Sequence, residues 1–178
     1  MNDEVVLVPG LWMPAAAMAL IAARLRRAGF RTHSFAYSGR RPLEASIERL
    51  ARFVRERPVH FVGHSLGGVL IFDLLESHRE IAAGRIVLLG ACAPRWEKRH
   101  ARWQRPEALG VIAGTLPLGL GRALGALPGE NDGVVCAEET VVDGMADRVL
   151  LRQGHSMLAV SGRVAALVEH FLHAGRFA

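Results

Sequence analysis

One short segment, residues 63–68 (Gly-His-Ser-Leu-Gly-Gly), constrains the fold of this chain more than any other. It follows an apolar run at residues 59–62 and leads into a segment with helical character at residues 66–77. Glycines two positions before and two positions after Ser65 suit a very tight strand-to-helix turn, because larger side chains there would clash with neighbouring backbone. The segment therefore predicts that Ser65 stands above the carboxyl edge of a sheet, at the start of a helix.

Short apolar runs alternate with longer amphipathic segments along the rest of the chain. The predicted strands are residues 5–8, 32–35, 59–62, 86–89, 111–113 and 149–151. The predicted helices are residues 14–28, 43–55, 66–77 and 160–173. This alternation predicts an α/β fold of about six mostly parallel strands with helices on both faces. We expect one domain over residues 1–178, with residues 94–147 rich in loops and close to the functional site.

Composition excludes several classes of protein. The chain has 178 residues, of which 51% are hydrophobic and 22% charged, which excludes a disordered chain. Two cysteines exclude a disulfide scaffold and a multi-cysteine metal site. No apolar run reaches the roughly 18 residues that a membrane span needs, so no membrane span is expected. The acidic start of the chain does not resemble a secretory signal, and we expect a cytoplasmic protein.

The high isoelectric point, about 10.5, is not evidence of nucleic-acid binding. The formal net charge is only +5, which is ordinary for a chain of this size. All but one of the lysine and arginine residues are arginines, with Lys98 the exception, and arginine in place of lysine raises the isoelectric point without adding charge. We therefore expect no nucleic-acid partner.

A serine in such a turn needs a histidine base and an acid that orients the base, in the chain order serine, acid, histidine. His155 follows the last predicted strand and precedes the closing helix, which places it at the carboxyl edge of the sheet. His64 adjoins Ser65, but neighbouring side chains on a sharp turn point in different directions. The remaining histidines fit the order or the edge less well: His33, His60, His78, His100, His170 and His173.

For the acid we choose Asp132, which lies in the turn-type sequence of residues 129–135. Such an aspartate can also serve only its own turn, by accepting bonds from nearby backbone N–H groups. The competing acids are Asp143, Asp147, Glu130, Glu138 and Glu139. Asp143 and Asp147 adjoin the start of the last strand, so we expect them at the wrong edge of the sheet.

A developing oxyanion needs two backbone N–H donors. Leu66, at the helix start, supplies one candidate N–H, and Leu11, in the loop after the first strand, supplies the other. The loop glycine permits close backbone approach. Residues expected to line the pocket are Gly10, Trp12, His64, Cys92 and Met157.

These segments together resemble the α/β-hydrolase superfamily, in particular its small lidless bacterial esterases and lipases. Residues 5–12 are similar to the oxyanion strand and loop of that family, and residues 62–68 match its nucleophile elbow. Residues 131–135 (Asn-Asp-Gly-Val-Val) resemble the N-D-G-x-V segment that carries the acid in several bacterial lipases. His155 falls where the triad histidine of these enzymes falls. The chain departs from many relatives at Pro9, where they have histidine before the glycine.

The resemblance implies a minimal α/β-hydrolase fold of about six strands without a cap domain. It also implies cleavage of a small-molecule carboxylic ester through an acyl-enzyme, with Ser65 as nucleophile, Asp132 as acid and His155 as base. No cofactor and no metal are required. The residues leave two alternatives open, a thioesterase or amidase with the same triad, and a binding protein whose site is idle. They indicate no particular oligomeric state.

Residues 95–105 carry five basic side chains, one acidic side chain and two tryptophans. Their spacing of seven puts Trp96 and Trp103 on one face of a predicted helix. The simplest interpretation is a surface helix that docks both tryptophans on the body of the protein, and a wall of the acyl pocket is the next. In the binding-protein alternative, this segment would engage an anionic partner.

Overall fold

The computed structural model describes residues 3–54, 58–92, 101–118 and 127–178. Its strands are β1 (Glu4–Val8), β2 (Arg31–Ser34), β3 (Val59–His64), β4 (Ala83–Leu89), β5 (Ala101–Arg102), β6 (Leu109–Gly114), β7 (Val142–Asp143) and β8 (Asp147–Leu151). Its α-helices are α1 (Ala19–Arg27), α2 (Leu43–Val54), α3 (Leu66–Ser77), α4 (Met157–Val160) and α5 (Gly162–Ala174). In the described ranges, short 3₁₀ turns cover Ala15–Met18 and Glu138–Thr140.

Six of these strands form one sheet in the order β2-β1-β3-β4-β6-β8, and every adjacent pair is parallel. Each of the six predicted strands lies within this sheet or overlaps it, so the predicted fold class is confirmed. All residues of β3 and β6 are buried, as expected for strands covered on both faces. Because the strands are parallel, their carboxyl ends all lie at one edge, and the loops that follow them meet there.

Helices cover both faces of the sheet. α1 packs against α5 on one face, and α2 packs against α3 on the other. Each pair completes its own apolar core cluster, the first around Leu25 and Phe171 and the second around Leu50 and Leu70. These four side chains are completely buried, and burial of each stabilises the fold by about 2 kcal/mol.

Helix ends differ from the prediction by a few residues. The predicted first helix begins as a 3₁₀ turn, and its α-helical part starts only at Ala19. The predicted closing helix is divided at Ser161, which is extended and whose hydroxyl caps α5 by accepting a hydrogen bond from the Val164 amide. Gly175, at φ 78°, ends that helix. None of the helices in the described ranges has the length and apolar character that crossing a membrane requires.

The predicted helix at residues 95–105 is wrong over residues 101–105, the part of it that the structure describes. Ala101–Arg102 is a strand that pairs with Val142–Asp143 in a separate two-stranded sheet. Trp103 follows this strand, is buried against Phe72 and donates its indole N–H to the Glu107 carbonyl across 2.7 Å. Docking of Trp103 on the body of the protein is thus confirmed, whereas Trp96 lies outside the described residues.

Candidate active site

Ser65 occupies the sharp turn between β3 and α3. Its backbone angles, φ 53° and ψ −127°, lie where residues with a side chain are rarely found. Such a conformation costs about 1–3 kcal/mol and persists only where surrounding contacts impose it. One of these contacts is the hydrogen bond from the Ser65 amide to the Leu89 carbonyl, 2.9 Å long. The turn leaves Ser65 partly exposed at the carboxyl edge of the sheet.

The glycines around Ser65 are required by close backbone contacts. A Cβ atom on Gly63 would lie 2.5 Å from the Gly68 Cα atom. A Cβ atom on Gly67 would lie 2.2 Å from the Val8 carbonyl oxygen, at the end of β1. Neither distance is compatible with a side chain, which is the physical reason for the glycine spacing that the sequence displays.

His155 and Asp132 form a buried hydrogen-bonded pair. His155 Nδ1 lies 2.7 Å from Asp132 Oδ2, and the two residues are 7% and 1% exposed. The His155 amide also donates to the Asp132 carbonyl across 2.9 Å. A carboxylate facing Nδ1 favours the tautomer that carries its hydrogen there, which leaves Nε2 unprotonated and able to accept a proton.

The second carboxylate oxygen of Asp132 holds the turn in which this residue lies. Asp132 Oδ1 accepts hydrogen bonds from the amides of Val134, at 2.9 Å, and Val135, at 2.8 Å. One oxygen therefore fixes the backbone of the loop while the other faces the imidazole. The two interpretations that the sequence left open for Asp132, turn residue and orienting acid, are geometrically compatible.

Two glycines at strand ends, neither of them part of a predicted motif, make room for this pair. Gly90 directly follows β4 at φ 54°, and a Cβ atom there would lie 3.1 Å from Asp132 Oδ2 and 3.3 Å from His155 Nδ1. A Cβ atom on Gly114, the last residue of β6, would lie 2.7 Å from the Asp132 Cβ atom. The signal that could have identified both is a glycine at the carboxyl end of a predicted strand.

His64, expected to line the pocket, is only 1% exposed. Its Nε2 lies 2.9 Å from the His155 carbonyl oxygen, so Nε2 carries the hydrogen and donates it. The centroids of the two imidazole rings are 4.8 Å apart. Burial, together with the nearby His155, lowers the pKa of His64 to about 4. His64 is therefore neutral near pH 7 and links the elbow to the His155 loop.

The loop after β1 lies directly against Ser65. A Cβ atom on Gly10 would lie 3.1 Å from the Ser65 Cβ atom and 2.9 Å from His64 Nδ1. Leu11, whose N–H is a candidate oxyanion donor, follows this close approach. Leu66 is the first residue of α3, so its N–H has no acceptor within the helix. Both candidate donors thus belong to segments that adjoin Ser65.

The other expected pocket residues differ in exposure. Trp12 has a positive φ of 59° and is 89% exposed. Met157 begins α4, two residues after His155, and is 52% exposed. Cys92 is partly exposed in the segment after β4. All three follow carboxyl ends of strands in the main sheet.

The competing acids lie elsewhere or serve other contacts. Asp147 begins β8, at the opposite edge of the sheet, and its Oδ2 accepts a hydrogen bond from the Phe177 amide. Asp143 is exposed in the two-stranded sheet. Glu139 accepts a hydrogen bond from the Cys136 amide, within the loop that contains Asp132.

Most competing histidines have structural or surface positions. His60 accepts a hydrogen bond from the Arg85 amide. His78 pairs with Glu80, and the ring of His173 packs against that of Phe30. His33 lies beside Glu4, His170 is exposed on α5, and His100 is outside the described residues. Within the ranges that the structure describes, histidine, cysteine, aspartate and glutamate form no group of three that could hold a metal ion.

Solved structures share this architecture. A protein of the alpha/beta superfamily from Xanthomonas campestris pv. campestris is 11% identical, with a TM-score of 0.69 over 97% of this chain and 99% of that chain. A pyrethroid hydrolase from Sphingobium faniae JZ-2 is 15% identical, with a TM-score of 0.64 over 98% of both chains. Mouse alpha/beta hydrolase domain-containing protein 10 is 13% identical, with a TM-score of 0.68 over 97% of this chain and 89% of that chain. These likenesses establish a shared fold.

A further structural match is partial. An extracellular alpha/beta-hydrolase from a Paenibacillus species is 24% identical, with a TM-score of 0.46, and the alignment covers 51% of this chain and 41% of that chain. The comparison with curated proteins gives no match. The family model for the alpha/beta hydrolase family, in contrast, matches residues 5–174. With that match and the six-stranded parallel sheet, the chain belongs to the alpha/beta hydrolase family.

Proposed function

We propose that this chain is a serine hydrolase that cleaves carboxylic esters through an acyl-enzyme. In this proposal Ser65 is the nucleophile, His155 is the base and Asp132 orients the base. The observation that carries it is the buried hydrogen bond of 2.7 Å between His155 Nδ1 and Asp132 Oδ2. It leaves the other imidazole nitrogen available as a base at the edge where Ser65 lies.

The reaction would proceed by acyl transfer in two halves. The Ser65 hydroxyl oxygen forms a bond to the ester carbonyl carbon while its proton passes to His155 Nε2. The Leu11 and Leu66 amides stabilise the oxyanion, and each such donor contributes about 3–4 kcal/mol. The carbon–alkoxy bond then breaks, and the alcohol leaves with the proton from His155. Water repeats the sequence on the acyl-enzyme and releases the carboxylic acid.

Asp132 would support the charged form of His155 in both halves. Its Oδ2 accepts the Nδ1 hydrogen, which fixes the ring orientation and stabilises the imidazolium. Its Oδ1 is already held by the Val134 and Val135 amides, so the carboxylate has little freedom to turn away. A carboxylate fixed in this way costs no reorganisation when the proton arrives.

The test is covalent labelling by a fluorophosphonate probe. The probe reacts with a serine that has a working base and oxyanion hole, so we expect wild-type protein to be labelled and Ser65→Ala not to be. Ser77→Ala is the matched control, because Ser77 is exposed at the far end of the same helix and its hydroxyl donates to the backbone carbonyls of Asp73 and Leu74. It should be labelled like the wild type.

Two outcomes would overturn the proposal. If Ser65→Ala is labelled as strongly as the wild type, the nucleophile is a different residue. If well-folded wild-type protein is not labelled, the site is idle and a binding protein becomes the better interpretation. After positive labelling, a panel of matched esters, thioesters and amides measures the substrate class, and we expect the ester to have the highest kcat/KM.

A further inference from the structure

Tyr37, the only tyrosine of the chain, makes a contact that the proposed chemistry does not use. Its hydroxyl donates a hydrogen bond of 3.0 Å to the carbonyl oxygen of Pro9. Tyr37 lies in the loop after β2, and Pro9 lies in the loop after β1, the adjacent strand. The bond therefore joins two loops at the edge of the sheet where Ser65 lies.

The backbone that carries Tyr37 is itself well fixed. The Phe35 amide donates to the Leu7 carbonyl across 2.9 Å, which extends the pairing of β2 with β1. The Phe35 ring is buried and stacks on the Tyr37 ring, with centroids 6.3 Å apart and an interplanar angle of 15°. Arg49 donates to the Ala36 carbonyl across 3.3 Å. The hydroxyl is thus presented from an anchored segment and not from a free loop.

The carbonyl oxygens of two successive peptide groups in the β1 loop are both held. The Pro9 oxygen accepts from the Tyr37 hydroxyl, and the Gly10 oxygen accepts from the Met13 amide across 3.2 Å. The Gly10 carbonyl and the Leu11 N–H belong to one planar trans peptide group, in which they point in opposite directions. The two hydrogen bonds hold the planes of the Pro9–Gly10 and Gly10–Leu11 peptide groups. The second plane contains the Leu11 N–H, so its direction is fixed as well.

The opposite side of the same loop is bounded by the elbow. A Cβ atom on Gly67 would lie 2.4 Å from the Pro9 oxygen, so this carbonyl lies against the first turn of α3. On the outer side, a Cβ atom on Gly39 would lie 2.0 Å from the Leu11 Cδ1 atom. The loop is consequently enclosed between α3 and the segment that carries Tyr37. Proline at position 9 has no N–H to donate, so its carbonyl is the polar backbone group that can anchor it.

We propose that Tyr37 is a positioning residue for the oxyanion loop, defined as residues 9–12. Its hydroxyl orients the Pro9–Gly10 peptide group and, through it, the Leu11 N–H that faces the developing oxyanion. This inference rests on the proposed ester hydrolysis. Burial raises the pKa of Tyr37 above its ordinary value, so the hydroxyl remains a donor throughout the pH range of an esterase assay.

The test compares Tyr37→Phe with the wild type. The variant keeps the ring that stacks on Phe35 and loses only the hydroxyl. We expect kcat for an ester to fall about ten-fold with KM changed less than about two-fold, because a misplaced donor affects the transition state and not substrate binding. The affinity for a trifluoromethyl ketone, which Ser65 converts to a tetrahedral oxyanion, should fall by the same factor. The affinity for the matched methyl ketone, a mimic of the bound substrate, should not change.

Phe53→Leu is the control for packing. Phe53 lies on α2 and is 37% exposed, and the centroid of its ring lies 5.5 Å from that of the Phe35 ring. This variant disturbs the same aromatic cluster and leaves the hydroxyl in place, so its kcat should equal that of the wild type. Thermal unfolding of all three proteins establishes that each is folded at the assay temperature.

Each result separates the inference from the function on which it rests. If the wild type is not labelled by the fluorophosphonate probe, the proposed function fails and the inference fails with it. If the wild type is labelled but Tyr37→Phe keeps wild-type kcat and wild-type affinity for the trifluoromethyl ketone, only the inference is overturned. Equal losses in Tyr37→Phe and Phe53→Leu would also overturn it, because packing would then explain the effect.

Discussion

At the scale of single residues, Asp132 meets two demands with two oxygen atoms. Oδ1 receives two backbone amides of its own turn, and Oδ2 receives the imidazole of His155. An asparagine can offer only one oxygen acceptor and must present an NH₂ group at the other position. The carboxylate is therefore needed for both contacts at once, although either contact alone could be made by an amide.

Asp132→Asn should lower kcat by roughly 10³-fold or more, because the amide favours the wrong imidazole tautomer or leaves Nδ1 without its acceptor. Asp143→Asn is the matched control, since Asp143 is exposed in the two-stranded sheet, and it should keep wild-type kcat. The measurement is steady-state hydrolysis of one ester by both variants. A severe loss in Asp143→Asn and none in Asp132→Asn would show that Asp132 is not the acid.

His64 should make the stability of the fold depend on pH. Its pKa is about 4 in the folded protein against 6.5 for an unperturbed histidine, so the unfolded chain binds more protons between these values. The contribution is complete above about pH 6.5 and is lost as the pH falls towards 4, which amounts to about 3 kcal/mol. Urea unfolding of the wild type should show this loss.

His64→Gln isolates the effect, because a glutamine amide can donate to the His155 carbonyl and does not titrate. The difference in unfolding free energy between the wild type and His64→Gln should change by this amount between about pH 7 and pH 4. His170→Gln, an exposed change on α5, is the control for a histidine at the surface. A pH-independent difference between the wild type and His64→Gln would contradict the prediction.

At the scale of elements, the site is assembled where strands end. The oxyanion loop follows β1, Ser65 follows β3, and Gly90 follows β4. The segment leading to Asp132 follows β6, and the His155 loop follows β8. Residues at the strand ends must therefore have side chains small enough to leave room for the adjacent loops. Gly90 shows this directly, because its missing Cβ atom gives space to both members of the histidine–aspartate pair.

Gly90→Ala should reduce kcat at least about ten-fold. The added methyl group would lie 3.1 Å from Asp132 Oδ2, and φ 54° is unfavourable for alanine by about 1 kcal/mol. Gly162→Ala is the control, because in the described part of the chain no atom outside its chain neighbours and its own helix backbone lies within 4 Å of the new Cβ atom at the start of α5. Ester hydrolysis and thermal unfolding of both variants test this, and wild-type kcat in Gly90→Ala would refute it.

The sequence predicted the elements of the main sheet because buried parallel strands are continuous apolar runs, as in residues 86–89. It did not predict the two-stranded sheet, since Ala101–Arg102 and Val142–Asp143 are only two residues each and carry no alternation. The seven-residue spacing of the two tryptophans suggested a helix through Trp103. The Trp103 side chain is buried as that helix would require, but its backbone is not helical. Pairing between distant short segments leaves no local pattern to read.

Prediction of the site depended on how local each contact is. Ser65 could be proposed as the nucleophile from the sequence alone because the tight strand-to-helix turn is contained in six consecutive residues. Tyr37 could not, since its partner Pro9 is 28 residues away and no spacing rule relates them. The contact of His64 with the His155 carbonyl could not be predicted for a similar reason, because it joins residues 91 positions apart.

At the scale of the whole molecule, the response to salt distinguishes catalysis on a neutral ester from binding of an anionic partner. The formal net charge of +5 is small, so hydrolysis of a neutral ester should change less than about two-fold between roughly 50 mM and 200 mM salt. A site used to bind a polyanion through the basic segment would instead lose affinity steeply over this range. Measuring kcat/KM across the salt series tests this, and a steep decline with a neutral ester would count against the proposed function.

The contact between His64 and the carbonyl of His155 has a consequence during synthesis of the chain. His64, in the turn that carries Ser65, and His155 lie 91 residues apart, with β4, β6 and β8 added to the sheet in between. A chain made from its amino end exposes Ser65 well before residues 132–155 leave the ribosome. Under the proposed function, Ser65 would remain an inert alcohol until β8 docks and brings His155 to the same edge of the sheet, so ester hydrolysis would begin only when the fold is complete.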